Sequence, residues 1–266
     1  MTWIVGAASL FGYGTLISDV QMTWKDGRQA DILQKAYPLG RFIVGGFSGS
    51  VYIGFRLMDS FRKMLELPLQ SSTHAWCPNQ AAKEWTQIAR AIFESAPDAE
   101  RKLGARFLIV GISPTDTISE TDIPVVQVIR FSSPDFLPGF FRKSMAICNI
   151  GSGSKITSYK NSLRPLLDFR TSPVNIEVAG MGWWAKNLAQ SMTRAIIENP
   201  QSGISRHLNV LAFMRGSILQ TNNDEIIFHP NFSSPEVIQM PRLATSYSEF
   251  QLMAAATDIE STAASC

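Results

Sequence analysis

The chain has 266 residues, 45% hydrophobic and 17% charged, with 24 basic residues against 22 acidic ones. That balance suits a folded globular protein with a full core and excludes general disorder. No block of one charge sign marks a nucleic-acid or anionic-membrane surface, and no apolar run is long enough to span a bilayer.

The first twenty residues predict two strands, "TWIVGAAS" and "GTLISD", around the glycine-containing reversal "LFGYG". They lack the basic region of a secretory signal, and Asp19 and Lys25 interrupt the stretch where its apolar core would fall. A further hairpin is expected in "KAYPLGRFIVGGFSGS". Helices follow over "VYIGFRLMDSFRKMLEL", with Ile53, Leu57, Phe61, Met64 and Leu65 as its stripe, and over "PNQAAKEWTQIARAIFESA", with Trp85, Ile88, Ile92 and Phe93. Strands return in "ARFLIVGIS", "PVVQVIRFS" and "SMAICNIGS". Two more helices are read in "GSGSKITSYKNSLRPLLDF", disturbed by Pro165, and "GWWAKNLAQSMTRAIIENP". "RHLNVLAFMRG" and "DEIIFHP" close the series as strands. Residues 1–233 are taken as one domain and residues 234–266, ending in "DIESTAASC", as a partly mobile extension. Grouped helices and strands clustered in hairpins favour an α+β fold with mainly antiparallel sheets.

Cys77, Cys148 and Cys266 are scattered and odd in number, which fits free thiols in a reducing compartment, and a cytoplasmic location is expected. His74, His207 and His229 stand apart, so neither a metal site nor a cofactor is expected. "GMGWWA" matches a dinucleotide fingerprint, but two tryptophans fill the space a phosphate would need, and a packed helix start is the better reading. "GSGSK" lacks the ending of a phosphate-binding loop. No G-x-S-x-G elbow supports a serine triad. "GGFSGS" ends a strand before a helix, where outward N–H groups can hold a developing oxyanion.

Taken together, Thr2 at the start of a strand, "LISDVQMT" with Asp19 and Thr23, Lys35 in "QKAYPLG" and Gly49 in "GGFSGS" resemble the proteasome β-type family. Its bacterial members include the HslV-type peptidase subunit. "ICNIGSGSKITSY" is similar to that family's glycine-serine turn and helix, with Ser152 at the serine, and "ENPQSGISRHLNVLAF" to its closing helix, loop and strand, with Ser202 and Gly203 at the Ser-Gly pair. The resemblance runs in order from Thr2 to Gly216. It departs at Asn199, where the family commonly has aspartate, at Gln21 for an arginine, and at Trp3 for a frequent threonine.

The resemblance implies an Ntn-hydrolase four-layer αββα sandwich with two stacked, mainly antiparallel sheets. It implies a threonine peptidase in which Thr2, freed of Met1, is the nucleophile and its own α-amine the base. Lys35 would keep that amine neutral, Asp19 would hold Lys35, and the Gly49 amide would face the oxyanion. Ser152 and Ser202 would orient the amine, and Asn199, in the aspartate's place, can accept a hydrogen bond but brings no charge to a protonated amine. Met22, Leu33 and Phe47 would line an apolar pocket, and Thr23 with Ser48 and Gly49 would pair with extended substrate. The implied partners are a peptide or unfolded protein as substrate, further copies in a homo-oligomeric ring served by the apolar stripe of residues 51–66, and an ATPase unfoldase. The alternative is a catalytically weak or inactive ring or scaffold subunit of the same fold; a small-molecule Ntn amidase would present the same residues.

Overall fold

The computed structural model describes residues 2–9, 11–24, 26–67, 76–118, 121–141, 146–164, 181–222 and 239–263. The chain opens with strands β1 (Ile4–Ala8), β2 (Gly14–Asp19), β3 (Gln21–Thr23), β4 (Gln29–Asp31), β5 (Ala36–Gly40) and β6 (Ile43–Gly49). Helices α1 (Val51–Glu66), α2 (Pro78–Glu94) and α3 (Asp98–Leu103) follow. Next come β7 (Ala105–Thr117), β8 (Pro124–Ser132), β9 (Gly139–Phe141) and β10 (Ala146–Ile150). The rest holds α4 (Thr157–Leu163), α5 (Met181–Glu198), β11 (Leu208–Met214), β12 (Ser217–Asn222) and α6 (Tyr247–Ala263).

Two five-stranded sheets, ordered β10-β1-β2-β11-β12 and β5-β6-β7-β8-β9, and a β3-β4 ribbon contain these strands. All their pairings are antiparallel, so the chain is α+β. The alternation of side chains along a strand decides which face meets what. Trp3, Val5, Ala7 and Ile17 share a cluster with Tyr159 of α4 and Leu188 and Met192 of α5. Ile4, Ala8 and Leu16, pointing the other way, join Val44, Leu108 and Val110 of the second sheet. Phe47, Phe107, Ile109 and Phe131 then meet Leu57 and Phe61 of α1 and Trp85 of α2 in a third cluster.

The helix periodicity is realised with one change of emphasis. The α1 stripe of Ile53, Leu57, Phe61 and Met64 is buried in this core, so it is not the assembly surface the sequence suggested. In α2 the inner face is Trp85 with Ala81, Ala82 and Ala89, while Ile88 is 41% exposed. Small residues let Trp85 lie between Phe61 and Phe107, both within 4.9 Å centroid to centroid. The helix read over 151–169 is broken: a 3-10 turn covers Gly153–Lys155, Ile156 is extended, and α4 then runs to Leu163. Pro165 and the expected strand over 224–230 lie outside the described residues. Trp184 and Ala185 of "GMGWWA" are buried in the α4–α5 cluster.

Five elements escaped the sequence reading: the β3-β4 ribbon in a polar stretch, the six-residue α3, the three-residue β9, β12 after a turn at Arg215 and Gly216, and α6. For α6 a signal was present. Ser246 accepts the Glu249 N–H at 3.2 Å, and the Glu249 carboxylate accepts the Thr245 N–H at 2.9 Å, as in a capping box. Just before it, Ala244 is fully buried and forms a parallel bridge with Leu33. At Ala244 and Phe250 the described part of the extension is therefore packed into the core. Among the described residues, no helix is long and apolar enough to cross a membrane.

The packing around α2 predicts opposite outcomes for two neighbouring substitutions. Trp85→Ala empties a core site and lowers stability by about 3–5 kcal/mol, whereas Ile88→Ala changes it by no more than ~0.5 kcal/mol. Denaturant midpoints of the two variants check this.

Candidate functional site

The site is built where the starts and ends of three strands meet. Trp3, preceding β1, and Asp19, ending β2, are bonded twice across the sheet end. The Asp19 N–H donates to the Trp3 carbonyl at 3.1 Å, and the Trp3 N–H donates to the Asp19 Oδ1 at 2.8 Å. The other carboxylate oxygen accepts the Gln21 N–H at 3.2 Å and the Lys35 Nζ at 3.0 Å. Lys35 also donates to the Gln21 carbonyl at 2.6 Å. Both side chains are nearly solvent-free, at 3% exposure for Lys35 and 0% for Asp19.

Burial raises the Asp19 carboxyl above its ordinary value, against the opposing pull of Lys35 and the two N–H donors. Burial likewise pulls the Lys35 ammonium down, with Asp19 and then Asp31 opposing it. Trp3, Gln21 and Lys35 all donate to Asp19, so the ionised carboxylate is the form this geometry serves.

Thr2 precedes Trp3, the residue bonded to Asp19. The Thr2 N–H donates to the Ser152 Oγ at 2.9 Å, and its carbonyl accepts the Gly153 N–H at 3.0 Å. Gly151 is required there for two reasons: its φ is +87°, and a Cβ would lie 2.2 Å from the Thr2 carbonyl oxygen. Gly153 leaves room for Trp3, whose ring stacks on Tyr159 at 4.3 Å. Thr2 is thus bonded to Ser152, while Asp19 joins the adjacent Trp3 to Lys35.

Gly49 ends β6 exposed, with φ +100°, and a Cβ there would lie 2.3 Å from the Gly104 carbonyl. The next residue caps α1: Ser50 Oγ accepts the Ile53 N–H at 3.1 Å and donates to Glu100 at 2.5 Å. Ser48 and Gly49 pair with Arg106 and Ala105 of β7, while β5 pairs with β6 only as far as Gly46. That leaves the β6 edge at Ser48 and Gly49 without a second strand among the described residues. Gly49, Met22 and Thr23 border one cavity of about 380 Å³.

The remaining candidates are placed differently. Leu33 and Phe47, both 1% exposed, lie in the core cluster of the second sheet and do not line that cavity. Ser48 is 4% exposed. Ser202 is exposed and accepts a hydrogen bond from the Gln29 side-chain amide, whose oxygen accepts the Gly203 N–H at 3.2 Å. Asn199 is exposed, and its carbonyl accepts the Tyr159 hydroxyl at 3.0 Å.

A second polar cluster was not foreseen. Asp31 Oδ2 lies 2.5 Å from both the Ser205 Oγ and the His207 Nδ1, and its Oδ1 accepts the Gln21 side-chain amide at 3.1 Å. His207 stands 176 positions from Asp31, so nothing in the sequence could join them. The trio is no serine triad. Ser205 approaches the same ring nitrogen that faces Asp31, at 3.1 Å, and a proton relay needs the hydroxyl on the opposite nitrogen. It instead ties β4 to the loop before β11, beside Lys35.

No family model matches the chain, and no curated protein matches it either.

Desolvation raises the Asp31 carboxyl, but the hydrogen bonds from His207 and Ser205 outweigh it, and the net shift is below the ordinary value of 3.8. Asp31 therefore contributes stability above pH 3.8, lost as pH falls through its lower folded value. Asp31→Asn removes that contribution. Its unfolding free energy is expected to fall less steeply than wild type below about pH 4, measured by urea titrations across the acid range.

Proposed function

We propose that this chain is a proteasome-like threonine peptidase of the Ntn-hydrolase kind, with Thr2 as its nucleophile once Met1 is removed. The observation that carries the reading is the convergence on Thr2: Ser152 holds its nitrogen, and the next residue's N–H grips the carboxylate that anchors Lys35. The three apolar clusters are compatible with the layer order helix, sheet, sheet, helix that this fold requires.

In this reading the free Thr2 amine takes the hydroxyl proton, directly or through a water, as the hydroxyl attacks the peptide carbonyl. The amine then protonates the leaving nitrogen, and the acyl group stays on the Thr2 oxygen until water releases it. An α-amine has an ordinary pKa of about 8, close to the working pH. The Lys35 charge disfavours a second cation beside it and stabilises alkoxide character at the hydroxyl. The exposed Gly49 amide supplies the oxyanion donor, and a substrate strand adds along Ser48 and Gly49. A cytoplasmic ring of identical subunits, fed with unfolded protein by an ATPase, belongs to the same proposal.

One observation favours a second reading, a weak or inactive scaffold subunit. The Asn199 side chain is exposed and the Ser202 hydroxyl is engaged by Gln29, so the amine-orienting set implied by the resemblance rests on Ser152.

Hydrolysis of a fluorogenic peptide library separates the two. Thr2→Ala and Lys35→Ala are expected to lower kcat/KM by at least ~10³-fold, as removal of a nucleophile or its activator does, while Thr2→Ser retains measurable activity. Hydrolysis absent in the wild type would favour the scaffold, and hydrolysis unchanged in Thr2→Ala would overturn Thr2 as the nucleophile.

A further inference from the structure

The cavity beside Gly49 is not the pocket that the sequence resemblance drew. Leu33 and Phe47 are withdrawn into the core, and residues far down the chain take their place at the wall. The lining combines Met22, Trp24 and Gly49 with Tyr52 of α1 and with Tyr247 and Phe250 of α6. Tyr52 and Tyr247 meet edge to face at 5.4 Å, and Tyr247 lies 6.2 Å from Phe250, so the aromatic wall is a packed unit.

The position of that wall is fixed by backbone pairing. The Ala244 N–H donates to the Ile32 carbonyl at 2.7 Å, and the Gln34 N–H donates to the Ala244 carbonyl at 3.1 Å. These bonds lash the start of the C-terminal segment to the strand-like run that carries Lys35. The capping box at Ser246 and Glu249 then sets the direction of α6, and Tyr247 and Phe250 are three positions apart, which places them on one helix face. Among the described residues, Asp26 and Glu100 are the charged ones that line the cavity.

We infer that α6 builds the specificity pocket of the active site: Tyr247 and Phe250 with Tyr52 receive a large apolar or aromatic side chain of an extended peptide, and Glu100 rejects an acidic one. This rests on the proposed peptidase reading for the bond that is cut, but the recognition itself is independent of the chemistry. A peptide strand lying along the free edge at Ser48 and Gly49 would present a side chain to a space of about 380 Å³, ample for one aromatic residue. Burial against aromatic rings favours phenylalanine or leucine. A carboxylate brought beside Glu100 in a partly desolvated site meets like charge.

Calorimetric titration of the full-length Thr2→Ala chain with capped hexapeptides tests this without turnover. Peptides carrying phenylalanine at the varied position are expected to bind at least ~10-fold more tightly than those carrying glutamate. Tyr247→Ala and Phe250→Ala should reduce that ratio to under about threefold by weakening the phenylalanine peptides. Glu100→Gln, which keeps an acceptor for Ser50, should reduce it by strengthening the glutamate peptides alone. This last variant stands in if the α6 variants fail to fold. Equal binding of both peptides, no binding of either, or full discrimination in all folded variants would overturn the inference. Discrimination in binding together with a wild-type chain that cuts no peptide would leave the pocket in place and remove the nucleophile.

Discussion

The buried pair of Asp19 and Lys35 is the constraint to which the rest of the site answers. Two charges held at 3.0 Å with almost no solvent cost several kcal/mol each in lost hydration, and their mutual attraction repays this only if the other polar positions are filled. The chain fills them with main-chain groups: the N–H groups of Trp3 and Gln21 face the carboxylate, and the Gln21 carbonyl faces the ammonium. Three separate stretches must therefore arrive together, the start of β1, the end of β2 and the residue before β5. Such an expensive arrangement is poor value as a source of stability, and a hydrophobic pair of the same shape would serve the core equally well. Asp19 is bonded to Trp3, the residue next to Thr2, and the proposed peptidase reading would give the pair a chemical purpose.

Around that pair the polar contacts spread outward in an ordered way. Gln21 passes from Lys35 and Asp19 to Asp31 through its side chain, and Asp31 reaches Ser205 and His207. Gln29, at the other end of the same ribbon, clasps Ser202 and Gly203. The short β3-β4 ribbon is thus the bracket between the Lys35 neighbourhood and the loop entering β11. On the opposite side, Ala244 pairs beside Leu33, two residues before Lys35, and carries α6 to the cavity rim. One lysine-bearing segment consequently connects the ion pair, the ribbon and the C-terminal helix.

What could be read in the sequence follows from the range of the interactions involved. β1, β2, β6, α1 and β7 have periodic apolar residues and local turn signals, and their bounds came out within a few residues. The approach of Asp19 to Lys35 across sixteen positions was legible only through the resemblance that the spacing of Thr2, Asp19, Lys35 and Gly49 carries. Leu33 and Phe47 were placed in the pocket by the resemblance alone, and large apolar side chains are what a core claims equally. The Asp31 and His207 contact depends on the whole fold and left no local trace. α6 hid for another reason: its apolar residues make no continuous stripe, since Phe250 is buried and Leu252 is 74% exposed. Its capping box was the one local signal.

The central claim is that Thr2 acts through both its hydroxyl and its own freed amine. The most direct measurement is the intact mass of the purified protein before and after exposure to a peptide epoxyketone, which closes a ring with both groups. The account predicts a mass lacking one methionine, followed by a single adduct that Thr2→Ala abolishes. Loss of methionine with no adduct at saturating reagent, or an adduct that persists in Thr2→Ala, would contradict it.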